Sequence, residues 1–488
     1  MSLEIKWDNT KKQGIIKGDC FDNLREHFSV ENPSAKFARY RRRFIAPRKY
    51  VITATGRFDT GLYFEIKKYL IDEQITGNIN VDEKFLAHVR PKHNIKPVFT
   101  QHTLNLRDYQ KDIVTSCIEN GRGVVVLATA GGKTLTIANI IENIFNSNKK
   151  LRALLLVPDL GLVNQTFADF QEYGTSFLYS KWTGSDKLNL RSNVIIANMG
   201  ILQSNKSDLS WINDIDLLVV DEVHKLRKDN KINNIIKQIK TPHKYGFTGT
   251  MPEDVLDQWN IIGKIGPLLF EKNSYQLRVE KYIANAYIQI LKLEHENQPR
   301  GYSRSDPGKA YRKELEFLAQ SEFRNNILAK LCTNVNNNSL ILIDYINHGQ
   351  LVYDTLSRVC KDKKVFFIRG EVDVKDREDI RQLMETDNNI IVVAISKIFS
   401  TGINIKNLHY IIFAGGGKAK VRIIQSIGRG LRKHKNKEKV IIIDIADQLK
   451  YGYAHMKKRI NLYKKEKISY GTKTIKENSG KKTSGKKT

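Results

Sequence analysis

Short runs of aliphatic and β-branched residues recur along much of the chain, separated by stretches whose apolar positions fall every three or four residues. The first series is Val124 to Leu127, Ala153 to Val157, Val194 to Ala197, Leu217 to Val220 and Tyr245 to Thr248. Unbroken apolar runs of this kind predict strands buried on both faces. The intervening spacing, as in Ile137, Ile140, Ile141, Ile144 and Phe145, predicts helices with one apolar stripe. Alternating the two gives a parallel sheet covered by helices, with ligands gathered at the strands' carboxyl ends. A second series repeats the pattern: Leu340 to Ile343, Val365 to Ile368, Ile390 to Ala394, Tyr410 to Ala414 and Val440 to Ile443. The fold class is therefore α/β, with two parallel-sheet domains in tandem. Ahead of them, alternation in Tyr50 to Ala54 and helical spacing of Leu62, Ile66, Tyr69 and Leu70 predict a small α+β module.

These patterns divide the chain into an N-terminal module (1–98), a first α/β domain (99–268), a second (269–455) and a basic C-terminal helix and tail (456–488). The stretch from Glu294 to Asp306 is polar and reads as a loop. From Gly471 to Thr488 almost no apolar residue occurs, so this tail is expected to stay disordered, as a basic arm for DNA or as an inert end.

A chain of 488 residues exceeds one core, and its 41% hydrophobic content suits globular domains. No apolar run nears the ~20 residues of a membrane span. The first residues lack a signal-peptide core, so a cytoplasmic location is expected. Four dispersed cysteines suggest neither a disulfide framework nor a zinc site. The 81 Lys and Arg against 52 Asp and Glu, a formal charge of +29, point to a polyanion, and nucleic acid fits best. Arg39, Arg41, Arg42, Arg43 and Arg48 lie among Tyr40, Phe44 and Tyr50, so cations could meet phosphates while rings stack on bases or pack the module's own core.

The chemistry concentrates at predicted strand ends. After Val124 to Leu127 comes Ala128, Thr129, Ala130, Gly131, Gly132, Lys133 and Thr134, a small-residue loop opening a helix. Backbone N–H groups and the helix dipole would cradle phosphates there, Lys133 would reach the β- and γ-phosphates of ATP, and Thr134 would hold Mg²⁺. Leu127 stands where the phosphate-loop pattern expects Gly, and alone such a loop could be ordinary. Leu217 to Val220 is followed by Asp221 and Glu222, suited to holding Mg²⁺ and to orienting and deprotonating the attacking water. Upstream, Arg107 and Gln110 are placed for the nucleotide, the Gln110 amide matching an adenine edge. Far downstream, Gln425, Arg429 and Arg432 put two guanidiniums on one helix side, fit to act as arginine fingers.

In this order the motifs resemble those of superfamily 2 helicases: Gln110; Ala128 to Thr134; Val157, Pro158 and Gln165; Asp221 to His224; Thr248 to Thr250; Ile343 to Gly349; Ser400 to Asn404; and Gln425 to Arg432. The Asp-Glu-Val-His box and the form of the last motif argue against DEAD-box RNA helicases. Phe44 to Leu70, Gly370 to Asp373, Phe399 to Ile403, Lys406 to Leu408 and Arg432 to His434 are similar to phage branch-migration helicases of the UvsW type. The resemblance implies RecA-like domains, nucleotide contacts from Gly402 and Asn404, and backbone-phosphate contacts from loops bearing Thr183, Gly184, Asn198, His348, Gly349 and Thr401. It also implies a monomeric motor that remodels branched DNA such as forks and Holliday junctions. The rival readings are a translocating subunit of a restriction or remodelling complex and a non-enzymatic DNA-binding protein.

Overall fold

The computed structural model describes residues 2–32, 34–35, 45–75, 77–90, 95–99, 103–204, 208–226, 231–299, 306–369, 374–396, 405, 407–415, 437 and 439–477. The N-terminal module carries β1 (Ser2–Asp8), β2 (Gln13–Gly18), β3 (Ser29–Glu31), β4 (Arg48–Tyr50), β5 (Arg57–Phe58) and β6 (Asn78–Val81). Its sheet runs β5-β2-β1-β6, with β6 parallel to β1 and the other pairs antiparallel; β3 and β4 form a separate ribbon. Helix Tyr63–Asp72 buries Tyr63, Ile66 and Leu70 in the same core as Ile5 and Ile16 of the sheet. Alternation of apolar residues along β1 and helical spacing along the helix place both stripes on that core.

The first α/β domain contains β7 (Arg122–Leu127), β8 (Ala153–Val157), β9 (Tyr179–Trp182), β10 (Val194–Asn198), β11 (Leu217–Asp221), β12 (His243–Thr248) and β13 (Leu268–Lys272). All pair in parallel, in the order β13-β7-β12-β11-β8-β10-β9. The five strands expected from the apolar runs are present; β9 and β13 are additional. β13 can lie beside β7 because Gly123 (φ +157°) has no side chain: a Cβ there would stand 2.3 Å from Leu269. β13 runs on to Lys272, and the chain divides into two compact units that part between Asn273 and Ser274, with Thr129–Gly131 grouped with the second.

The second α/β domain contains β14 (Asn285–Glu294), β15 (Ser339–Ile343), β16 (Lys364–Ile368), β17 (Ile390–Ile395), β18 (Tyr410–Phe413), β19 (Lys439–Asp447) and β20 (Ser469–Lys476), also all parallel, ordered β16-β17-β15-β18-β19-β14-β20. The tail expectation fails here. β20 runs into the stretch read as disordered and pairs Ser469 through Lys476 with Tyr287 through Glu294. The edge of β14 offers backbone partners, so the segment needs a ladder and strand-forming residues such as Thr472, Thr474 and Ile475 rather than a core of its own. The helix Lys450–Lys465 is likewise part of this domain: Arg459 pairs with buried Asp444 at 2.8 and 2.9 Å, and the Tyr463 hydroxyl donates to the same carboxylate. Residues 478–488 lie outside the described residues.

Within the first unit, the module and the α/β domain meet over a polar seam. Arg122, fully buried at the start of β7, donates to the carbonyls of Ile265 (2.5 Å), His88 (3.0 Å) and Lys264 (3.3 Å) and to Thr60 Oγ1 (3.2 Å). Asp59 of the module pairs with Lys264 and, at 3.5 Å, with Lys237, and accepts from Gln13 Nε2. Trp259 packs edge-on against Phe28, with ring centroids 5.4 Å apart. Burial raises the Asp59 carboxyl, but the two lysines and hydrogen bonds overcome it and hold the group at about 2.

Removing one partner of a buried ion pair leaves a charge uncompensated, so Asp59→Asn should cost about 3 kcal/mol in chemical denaturation. The folded pKa lies below the ordinary 3.8, so the stabilisation is complete above that value and is lost as pH falls through about 2. The gap between wild type and Asp59→Asn should stay constant above about pH 5 and narrow below it.

Candidate active site

Parallel pairing sets the strand ends level. Asp221 stands opposite Phe247, and Thr248 opposite Val126, so the carboxyl ends of β11, β12 and β7 open on one side of the sheet. β7 is buried throughout, and the loop after it turns through left-handed backbone at Ala130 (φ +67°) and Gly132 (φ +80°) before helix Lys133–Ser147 begins. That helix buries Thr136, Asn139, Glu142 and Asn143 as well as its apolar stripe. The polar side is matched by chain draped over it: Asn143 exchanges hydrogen bonds with both backbone groups of Val98, and Glu142 accepts from Ser176 N.

Lys133 Nζ lies 3.8 Å from Glu222 Oε1, both side chains mostly buried. Asp221 accepts from the Glu222 amide at 2.8 Å. Burial first, and then the adjacent Glu222 charge, push the Asp221 carboxyl up to about 7. Glu222 itself adopts left-handed backbone (φ +53°, ψ +47°), a conformation costing roughly 1 kcal/mol or more that persists where surrounding structure enforces it. A buried carboxylate pair beside one ammonium is a donor set suited to a hard divalent cation with phosphate oxygens and water completing its shell. The residues therefore fit a metal-nucleotide complex.

Two further groups enter that the residue patterns did not single out as site members. His224 Nδ1 lies 3.1 Å from Glu222 Oε2 and 2.9 Å from Thr248 Oγ1, which in turn contacts the Thr250 backbone. A polar chain thus joins the second acid to the Thr248 to Thr250 turn. Asp159, at the head of helix Leu160–Tyr173, adds a further negative charge felt by Asp221. His224 was visible within the Asp-Glu-Val-His box, whereas Asp159 reads only as a helix cap.

Gln110 is placed differently from the adenine-facing expectation. It is buried; Oε1 accepts from Arg107 N (2.9 Å), and Nε2 donates to Gly132 O (3.1 Å) and Thr136 Oγ1 (3.2 Å). The amide ties the start of helix Asp108–Asn120 to the phosphate loop, because its length reaches that loop across the helix end. The Arg107 guanidinium donates to Tyr109 OH at 2.9 Å.

Several expected DNA contacts also change. His348 and Gly349 lie in the first turn of helix Ile346–Val359, not in a loop. Buried His348 meets Arg324 Nη1 at 3.2 Å, while Arg324 also holds Asp447 and the Ala414 carbonyl. Burial and the Arg324 charge take the His348 imidazole down to about 3, so it supplies no cation to a phosphate. A Cβ on Gly349 would stand 2.6 Å from the Phe367 ring. The Thr183 hydroxyl is engaged within its own turn, donating to Asp186 at 2.6 Å, whereas Gly184 is exposed with open space around it. Asn198 ends β10 and is half-buried. Arg48 is held by Ser29 and by Glu26 at 2.8 Å, and the Tyr50 ring is covered by Arg25 at 3.6 Å, so these two serve the ribbon. Arg39, Arg41, Arg42, Arg43, Tyr40, Phe44, Thr401, Gly402, Asn404, Gln425, Arg429 and Arg432 lie outside the described residues.

Residues 103–253 match the family model of the type III restriction enzyme res subunit, and 323–434 that of the helicase conserved C-terminal domain. These two matches fall within the two parallel-sheet domains and together take in the phosphate loop, the acid pair and the arginine motif. The chain is an ATP-hydrolysing helicase of superfamily 2. It is similar over nearly its whole length to the ATP-dependent DNA helicase UvsW of Enterobacteria phage T4, with 26% identity across 94% of this chain and 97% of that one. It is also 26% identical to the DNA 3'-5' translocase XPB2 of Sulfurisphaera tokodaii, over 78% of this chain and 88% of that one. A fragment of an HsdR subunit of a type I restriction enzyme from Vibrio vulnificus shares the fold, with a TM-score of 0.55 at 15% identity over 84% of this chain and 74% of that one. No helix among the described residues is long and apolar enough to cross a membrane.

Two substitutions separate loop shape from chemistry. Glu222→Gln should lower ATP turnover by about 100-fold or more while leaving DNA affinity within roughly threefold, measured as DNA-stimulated phosphate release beside fluorescence anisotropy. Gly132→Ala forces a Cβ to 2.5 Å from Gln110 Nε2 at a left-handed position, so nucleotide affinity should fall with it. Turnover at the wild-type level in Glu222→Gln would move the water-activating role elsewhere.

Proposed function

We propose that this helicase uses ATP hydrolysis to remodel branched DNA, regressing forks and migrating Holliday junctions, in phage recombination, repair and replication. The observation carrying this reading is the N-terminal module, which is packed through a buried polar seam onto the domain that bears the phosphate loop. Similarity to UvsW extends over that module as well as the motor. A motor that only tracks one backbone has no means of preferring a junction; a second basic surface fixed to it can engage another arm. Affinity gained there is tethered, electrostatic and salt-dependent.

In the proposed cycle Lys133 contacts the β- and γ-phosphates, and Thr134 and Asp221 hold Mg²⁺, which would neutralise charge on the phosphates. Glu222 accepts the proton of the attacking water, with His224 fixing its carboxylate against Thr248. Gln110 shapes the loop through Gly132, and Arg107, Thr129, Ala130 and Gly131 complete the nucleotide surroundings. Gly402, Asn404 and Gln425 of the second domain join them when ATP is bound, and Arg429 and Arg432 stabilise the transition-state charge. Gly184, Asn198 and Thr401 contact backbone phosphates, and Arg39, Arg41, Arg42 and Arg43 engage the extra arm. The motor works as a monomer in the cytoplasm of the infected cell.

Arg429→Ala and Arg432→Ala should each reduce turnover by about 100-fold or more with little loss of ATP affinity; a collapse of affinity with unchanged turnover of the bound fraction would make them ground-state ligands instead. The triple variant Arg41→Ala, Arg42→Ala, Arg43→Ala should bind a Holliday junction more weakly and with a shallower salt dependence. Its single-strand-stimulated ATPase should stay near wild type. Junction preference unchanged across a salt titration would remove the module from substrate choice.

A further inference from the structure

On the side of the first unit away from the phosphate loop, the seam opens into a small recess. Lys12, Lys237, Lys240, Lys244 and Lys264 line it, against a single carboxylate, Asp59. That carboxylate is already engaged by Lys264, Lys237 and Gln13. Lys244 is the informative member. It is the second residue of β12, is only 6% exposed, and its ammonium, with three N–H donors, finds one acceptor, the Ile236 carbonyl at a long 3.4 Å. Arg122 and Lys264 add positive charge close to it, and burial with these neighbours drives its pKa well below the ordinary lysine value. His88, stacked on Trp7 at 3.9 Å, faces Lys12, Lys240 and Lys244 and is itself lowered by burial and by them.

An apolar residue at position 244 would avoid this cost, since a buried ammonium short of acceptors is expensive and gives up its charge instead; an anion in the recess would restore it. A recess open to solvent and walled by lysines from β12, from the segment before it and from the module supplies the charge that a multiply charged oxyanion needs. Lysines act there as point charges that a tetrahedral group can meet from several sides. We propose that the recess binds a phosphate group, held by Lys244 at its floor and by Lys237 and Lys240 nearer its mouth. The site is distinct from the nucleotide site: Lys244 and Thr248 are four residues apart on β12, about 13 Å along the strand. Inorganic phosphate and a phosphodiester of the DNA backbone share this chemistry.

The test uses the full chain with saturating ADP, so that the phosphate loop is filled. Inorganic phosphate and the dinucleotide d(TpT) are titrated separately by calorimetry and by thermal melts, with sodium chloride at matched ionic strength as the control. Phosphate or dinucleotide should raise the melting temperature saturably where chloride does not. Affinity should fall about tenfold or more in Lys244→Met and a few-fold in Lys240→Gln, while ATP turnover without added anion is unchanged. Lys240 is exposed, so its variant keeps the test open if Lys244→Met does not fold. Preference for the dinucleotide assigns the recess to DNA, and preference for inorganic phosphate to a free anion. Equal responses to chloride and phosphate, or wild-type affinity in the folded variants, would overturn the proposal.

Discussion

The catalytic geometry rests on backbone pairing more than on any side-chain contact. Because β7, β12 and β11 are neighbours in one parallel ladder, with Thr248 level with Val126 and Asp221 level with Phe247, their polar ends arrive at the same height. Slippage by one residue would turn the apolar residues of a strand to the opposite face, and burial on both sides forbids it only through the loss of specific packing. The register is thus enforced by the same valines, leucines and isoleucines that make the core. Catalysis inherits its precision from the hydrophobic effect.

That arrangement concentrates unfavourable terms where the chain leaves the sheet. Asp221 is buried beside a second acid, Glu222 is held in left-handed backbone, and Ala130 turns the loop the same way. Each is tolerated because neighbours over-determine it: the Glu222 carboxylate is flanked by Lys133 and His224, and the loop carbonyl of Gly132 is held by Gln110. A phosphate-bound cation would convert the raised acid to its charged form, so the group that strains the fold is the one that binding relieves. Removing Gln110 or His224 therefore acts on the shape of the site before it acts on any ligand.

Much of this was legible in the chain because strand, loop and acid pair are local in sequence. Uniform apolar runs betrayed the central strands, and the residues just after them betrayed the chemistry. What escaped was set by distant pairing. β9 is half-buried at an edge, β14 alternates rather than running apolar, and β20 contains two lysines and two threonines on a segment too polar to suggest order; each becomes a strand because another edge supplies its ladder. Asn347, His348 and Gly349 look like a turn by composition, yet Phe367 and Arg324, neither adjacent in sequence, fix them inside a helix. The contacts of Gln110 were hidden for a similar reason: its position relative to Lys133 was visible, but the reach of its amide to Gly132 and Thr136 was not.

The seam was illegible for the same reason and has the widest mechanical consequence. Arg122 begins the strand whose other end delivers the phosphate loop, and its guanidinium holds Thr60 and His88 of the module together with Ile265 and Lys264 behind β13. Gly123, next along, allows β13 itself to close against β7. A strand paired on both sides is the stiffest available connection, so the module is anchored to the same rigid element that presents ATP. Swinging it freely would require breaking buried charge-assisted hydrogen bonds, a cost of several kcal/mol that keeps a detached module to a small fraction of the population. The module therefore keeps a fixed orientation to the domain that carries the phosphate loop, and whatever surface it offers is presented at a set angle to that loop.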